Sequence, residues 1–272
     1  MMNQWCDIGV NLFSSQFDTD RDDILHRAAA AGVTQLILIG SDIEESQQNI
    51  TFCRQHPGCF TTAGIHPHQA GVAKSGYLPA LATLIQSPHV IAVGECGLDF
   101  NRDFSPRPLQ QKLFSEQLQL AKEMAKPVYL HQRDAFDTQQ AILKESHINR
   151  GVSHCFTGDT AQLKAWLDLG LHIGITGWLC DERRSEELRQ ALQYIPLDRL
   201  LLETDAPYLL PRDMTPKPAS RRNEPAFLTH IAATVARMLQ LDIAELARQT
   251  VDNSRNLFQL DGQLQVTGEQ HE

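Results

Sequence analysis

The chain has 272 residues, 42% hydrophobic and 21% charged, and a formal net charge of −9. That length suits one α/β barrel of about 250 residues or two smaller domains, and it buries roughly three quarters of its unfolded surface without staples. The acidic balance excludes a general nucleic-acid coat, which needs a basic face, but leaves room for nucleic acid at one locally positive site.

In chain order, the strand CDIGV leads into DTDRDDILHRAAAAG, a helix with Asp caps in front and Gly32 as its stop. TQLILIG and SDIEESQQNITFCRQH repeat the pairing. FTTAGI then leads to a helix around Tyr77–Gln86, and VIAVGE leads through a longer loop to PLQQKLFSEQLQLAKEMA. PVYLH precedes DAFDTQQAILKE, GVSHC precedes DTAQLKAWLDLG, LHIGIT precedes SEELRQALQY, and LLLETD precedes EPAFLTHIAATVARML. The tail, IAELARQTV and DNSRNLF, reads as two short helices packed outside the main body. Such alternation implies a parallel sheet, and eight units close a (β/α)8 barrel in a single domain, 1–272. An open doubly wound sheet is the other topology with this rhythm.

Every apolar run falls short of the roughly 18 residues of a membrane span, and MMNQWCDIGVNL lacks the parts of a secretory signal. Cys6, Cys53, Cys59, Cys96, Cys155 and Cys180 form no Cys-x-x-Cys pair. Free thiols in a cytoplasmic protein are therefore expected, and a monomer is the expected unit.

Acids and histidines stand at the ends of these strands: Glu95 after VIAVG, His131 after PVYL, His154 after GVS, and Asp205 after LLLET, with His66 after FTTAGI. In a parallel barrel, residues at the carboxyl ends of strands converge on one face, where the active site lies. Glu95, His131, His154 and Asp205 are the candidate metal ligands. Two imidazoles with one or two carboxylates form a hard-leaning set that suits Mg²⁺ or Mn²⁺ in turnover, although Zn²⁺ also fits. Period-two alternation turns Cys96 and Cys155 away from their neighbours Glu95 and His154, against a thiolate zinc site. His66 either donates to a phosphate oxygen or holds its own turn. Arg133, Arg183 and Arg184 follow strand ends and are candidates for phosphate binding; the alternative is pairing with Asp134, Asp181 or Glu182. Trp178 is a candidate for base stacking, with core packing as the alternative. Arg212 to Arg222 carries four cations against one acid and reads as either a nucleic-acid contact or a solvated loop. The remaining histidines, among them His172, His230 and His271, are assigned no chemistry.

GIHPH, GECGLDF, HCFTG and ETDAPYL, in this order and spacing, resemble the TatD family of metal-dependent deoxyribonucleases, which belongs to the amidohydrolase-like barrels. DIGVNL, GITGWLCDERR and DAPYLLPRDMTPKPASRRNEP extend the match from Asp7 to about Phe258. The resemblance implies hydrolysis of DNA from its 3′ end, preferably of single strands, in a repair setting. It implies that Asp205, with Glu95, takes the proton of the attacking water. One departure matters: most of the family opens with a His-x-His pair on the first strand, and here those positions are Gly9 and Asn11. The first strand therefore offers no imidazole ligand.

Two other classes compete. An amidohydrolase or lactonase acting on a small molecule needs only the barrel and ligands, but the His-x-His pair is missing, and PVYLHQR ends in His131 where a carbamylated lysine would stand. A non-catalytic scaffold in protein export has no reason to hold a catalytic ion.

Overall fold

The computed structural model describes residues 2–260. Among them, eight strands form one sheet in chain order, every neighbouring pair parallel. They are β1 (Trp5–Val10), β2 (Val33–Leu38), β3 (Cys59–Ala63), β4 (Val90–Asp99), β5 (Val128–Arg133), β6 (Gly151–Ser153), β7 (His172–Ile175) and β8 (Leu200–Leu202). Helices α1 (Arg21–Ala30), α2 (Ile43–Cys53), α3 (Tyr77–Ile85), α4 (Arg107–Glu123), α5 (Phe136–Glu145), α6 (Thr160–Asp168), α7 (Glu186–Leu192) and α8 (Leu228–Leu239) follow them in turn, and α9 (Ile243–Phe258) ends the series. The first and last strands meet: Asn11 N donates to Ala206 O at 2.8 Å and Asp205 N to Gly9 O at 2.9 Å. A parallel bridge joins Val10 to Ala206, so the sheet curls into the (β/α)8 barrel and leaves no strand edge open there.

Alternation along the strands sorts the side chains. Ile8, Ile37, Ile39, Phe60, Ile91, Val152 and Leu201 fill the interior, each buried side chain contributing about 1.5–3 kcal/mol. The opposite faces pack against helices. In α8, Leu228, Ile231, Ala232 and Val235 are buried at the i, i+3, i+4, i+7 spacing of one helix face. In α6, Asp159 accepts from Gln162 N at 2.8 Å as the N-cap, and buried Trp166 meets the Phe136 ring edge-on at 4.9 Å.

The tail departs from expectation. It is one helix, α9, and its Val251, Leu257 and Phe258 extend the interior cluster. The polar stretch DNSRN does not interrupt it, because Asn253 Nδ2 donates to the carbonyls of Leu197 and Leu200 at 2.8 and 2.9 Å. Asp20 precedes α1 without capping it through its side chain; its carboxylate binds Arg27 and Arg222 instead. Strand ends also shift. β4 runs four residues past Glu95, whereas β6 and β8 stop before His154 and Asp205, which stand on the loops just beyond.

Candidate active site

A cleft of about 1000 Å³ opens at the carboxyl ends of the strands. At its floor, Glu95 is 6% exposed, and its Oε1 lies 2.9 Å from His131 Nδ1, 2.9 Å from His154 Nε2 and 3.4 Å from His66 Nε2. Burial opposes the charge on Glu95, but the imidazoles overcome it and hold the carboxyl well below the usual carboxylate range. Burial works the other way on His66 and keeps it below its ordinary value, with Glu95 pulling it back up. His66 Nδ1 accepts from His68 N at 3.1 Å, which assigns the ring proton to Nε2, facing Glu95.

A second layer fixes these rings. His131 Nε2 is buried without a hydrogen bond, 3.4 Å from Asp99 Oδ2. Burial opposes charge on His131 and on Asp99. The carboxylates of Asp99 and Glu95 raise His131 nonetheless, while His131, the Arg102 amide and His68 lower Asp99. His68 Nε2 lies 2.7 Å from Asp99 Oδ2. Beneath His154, the fully buried Glu203 accepts from Tyr129 Oη at 2.9 Å and from the Cys155 amide, and its Oε2 is 3.2 Å from His154 Nδ1. Burial opposes charge on His154, and Glu203 and Glu95 raise it well above its ordinary value. Asp205 has a left-handed backbone (φ 55°) and accepts from Asn11 Nδ2 at 3.0 Å. Burial pushes its carboxyl up to about 7; His154 pulls it down, and Glu203 and Glu95 add to the rise.

The structure thus brings Glu95, His131 and His154 together, with Asp205 beside them, and adds His66, whose ligand atom lies with those of Glu95 and His131 within 4.8 Å of one another. The donor set fits a divalent cation. Three imidazole nitrogens crowd one carboxylate oxygen, where they share a cation or each must bring a proton, and the buried His131 Nε2 has only the longer 3.4 Å contact with Asp99. Arg133 lines the cleft and is exposed. Arg184 does not line it: its guanidinium lies 3.6 Å over the Trp178 ring and its Nε 3.0 Å from Asp181 Oδ2. Asp181 also binds Arg183 and Arg212, so three candidate phosphate-binding cations share one carboxylate. Arg222 is bound to Asp20, and Arg212, Lys217 and Arg221 are the exposed cations of the Arg212–Arg222 loop. Trp178 lines the cleft.

The TatD related DNase family matches residues 6–259. The chain belongs to that family. A protein of Klebsiella pneumoniae named 3'-5' ssDNA/RNA exonuclease TatD is 53% identical over 257 residues, covering 94% of this chain and 98% of its own. One of the same name from Salmonella typhimurium is 50% identical, over 93% of this chain and 98% of its own. Among solved structures, YJJV, a TatD homolog from Escherichia coli K12, superposes with a TM-score of 0.87 at 29% identity, covering 95% of this chain and 99% of that one.

In and beneath this TatD-family cleft, three residues go beyond those that sequence reasoning singles out: Asp99, which lines it, and Glu203 and Tyr129, which lie under His154. Asp99 shares strand parity with Glu95 on β4, so a period-two reading carried past Glu95 finds it, whereas Glu203 stands beyond the end of β8, where alternation is no guide. Tyr129 had no such signal, because it looks like a core aromatic. Cys155 corrects an expectation: it lines the cleft. The alternation rule was applied where β6 had already ended, and Cys155 takes a left-handed conformation (φ 46°). Burial pushes its thiol up to about 12, so with no cation bound it stays protonated. His271 lies outside the described residues.

Proposed function

We propose that this chain is a metal-dependent 3′–5′ exonuclease that removes nucleotides from single-stranded DNA, and from RNA by the same chemistry. The carrying observation is the convergence of His66, His131 and His154 on one Glu95 oxygen, in a chain half identical to proteins named for that activity. Glu95, His131 and His154 would hold the cation, with Asp205 as a further carboxylate. When bound, a divalent ion supplies Lewis acidity to the phosphate and acidifies water. The mixed imidazole and carboxylate set, hard-leaning, suits Mg²⁺ or Mn²⁺.

The chain's own groups do the rest. Asp205, with a carboxyl near 7, is placed to accept the proton of the attacking water at neutral pH. His66, beside Glu95, and His68, fixed by Asp99, line the cleft where the phosphoryl oxygens would lie. Arg102 and Arg133 at the cleft wall offset the charge of the incoming strand, and Trp178 and Tyr208 offer ring faces to its bases. The proposed working unit is a monomer. Among the described residues no helix is long and apolar enough to cross a membrane, and six free cysteines suit the cytoplasm.

The test is a time course on 5′-labelled single-stranded DNA with Mg²⁺ or EDTA. A Mg²⁺-dependent ladder shortening from the 3′ end is expected, and Glu95→Gln or Asp205→Asn should lower its rate by about 10²-fold or more. Intact DNA from folded, metal-loaded protein would overturn the proposal and favour hydrolysis of a small molecule. So would undiminished activity in the double variant, purified free of host nucleases.

A further inference from the structure

Outside the cleft, Cys180, Asp213 and His230 come together from three elements. Cys180 ends the 3-10 turn Gly177–Cys180 after β7, Asp213 lies in the loop between β8 and α8, and His230 is in the first turn of α8. Their ligand atoms (a sulfur, a carboxylate oxygen and an imidazole nitrogen) all lie within 4.8 Å of one another. Cys180 is 1% exposed. His230 Nε2 lies 2.7 Å from Asp213 Oδ1. Burial and the Asp213 carboxylate push the Cys180 thiol up to about 12 in the absence of a cation, and Thr234, one turn along α8 from His230, offsets part of that rise. None of the three residues lines the cleft.

We propose that Cys180, Asp213 and His230 bind one thiophilic divalent cation, of which Zn²⁺ is the type, at a site separate from the cleft. Thiolate, imidazole and carboxylate are the donors of tetrahedral zinc, and the soft sulfur selects against the Mg²⁺ and Mn²⁺ that suit the cleft. One thiolate and one carboxylate neutralise the dication. The Asp213 and His230 side chains are about one third exposed, so the fourth position opens to solvent. Occupancy would pin the wall of the cleft. Gly177 already approaches Leu209 so closely that a Cβ there would lie 2.1 Å from its carbonyl oxygen, and Trp178 and Leu209 both line the cleft. The cation would tie these two loops to each other and to α8.

The experiment uses the full chain, stripped of metal and titrated with Co²⁺, whose ultraviolet thiolate-to-metal charge-transfer band reports a sulfur ligand. One band saturating at one ion per chain is expected, displaced by Zn²⁺ and retained in Glu95→Gln. Cys180→Ser should abolish it. His230→Ala should weaken binding by more than the roughly 10- to 100-fold that loss of an outer partner costs. Zn²⁺ should raise the Tm of Glu95→Gln but not of Glu95→Gln/Cys180→Ser, each compared with its own metal-free melt. His230→Ala alters a partly exposed residue and serves as the second probe should Cys180→Ser misfold. A missing band in Glu95→Gln, or a band that survives Cys180→Ser, overturns the proposal. Loss of nuclease activity in Glu95→Gln does not bear on it.

Discussion

Glu203→Gln is the sharpest test of how the cleft keeps its imidazoles ready for a cation. Glu203 accepts from three donors: Tyr129 Oη, the Cys155 amide and the Nδ1 side of His154. An amide retains one acceptor and turns an NH2 toward the others. If the carbonyl keeps the Cys155 amide, the NH2 faces Tyr129 and His154. The Tyr129 hydroxyl can rotate to accept, but a His154 Nδ1–H cannot. Relief requires the proton to leave Nδ1 for Nε2, which removes the lone pair from the side that faces Glu95. The buried mismatch should cost about 1–3 kcal/mol of stability. Losing the partner of a ligating imidazole should weaken metal binding by about 10- to 100-fold, equivalent to roughly 1.4–2.7 kcal/mol. Urea unfolding would give the first quantity and Mn²⁺ titration the second. Exonuclease rates should recover at saturating metal, because the carboxylates that do the chemistry are untouched. Tyr129→Phe should deepen the defect, since it removes the hydroxyl that can accept from the new NH2. Wild-type Mn²⁺ affinity in Glu203→Gln would refute the assignment of Glu203 as the group that orients His154.

Three further outcomes follow from the same geometry. If Asp205, near 7 in the metal-free cleft, is the base, kcat/KM should rise with pH through a limb at or below 7, since a cation beside it lowers that value; a flat profile from pH 5 to 8 would count against it. His172 is held down to about 4 by burial, with Arg199 adding to the effect. Its folded-state value lies below its unfolded one, so the stability it contributes is complete above pH 6.5 and is lost as pH falls toward 4. At 1.36 kcal/mol per unit the ceiling is about 3.4 kcal/mol, and residual hydration reduces this to about 2; His172→Gln should flatten that part of a pH–stability curve by the same amount. Trp178→Ala should raise KM for single strands about fivefold, the low end of the cost of losing one stacked base, with kcat unchanged; an equal fall in kcat would assign Trp178 to the chemistry instead.

Much of this was legible because barrel physics makes it so. Short β-rich runs that end in an acid or a histidine must put those side chains on one rim, and His131, His154, Glu95 and Asp205 are found there. What escaped depends on contacts between residues far apart in sequence. Arg184 looked like a phosphate ligand until Trp178 and Asp181 occupied it. Glu203 lies two residues from Asp205, but nothing local says that one faces Tyr129 inside the barrel and the other Asn11 at the rim. The tail read as two helices because Asn253 and its polar neighbours look like a break, and only the carbonyls ahead of β8 explain why they are not.

The altered first strand is where sequence and structure explain each other. Positions 9 and 11 lack imidazoles, yet β1 still serves the site, by placing the acids that follow β8. Asp7 accepts from Thr204 N at 2.9 Å and from its hydroxyl at 2.6 Å, which fixes the residue between Glu203 and Asp205. Asn11 holds Asp205. Gly9 makes room: a Cβ there would lie 2.5 Å from Glu203 Oε2 and 2.6 Å from Tyr129 Oη, so the space a side chain would need is already held by the groups that orient His154. Gly9→Ala should therefore cost about 1–3 kcal/mol, as overpacking of a rigid interior does, and should weaken Mn²⁺ binding in the manner of Glu203→Gln. Adding Tyr129→Phe should recover part of both losses, since it removes one of the two clashing atoms. Replacing Gly9 and Asn11 together by histidine should give no second ion, because the first imidazole would displace Glu203 and the second would strip Asp205 of its partner. Gly9→Ala with wild-type stability and metal affinity would mean that Glu203 does not fill the place left by the missing ligand.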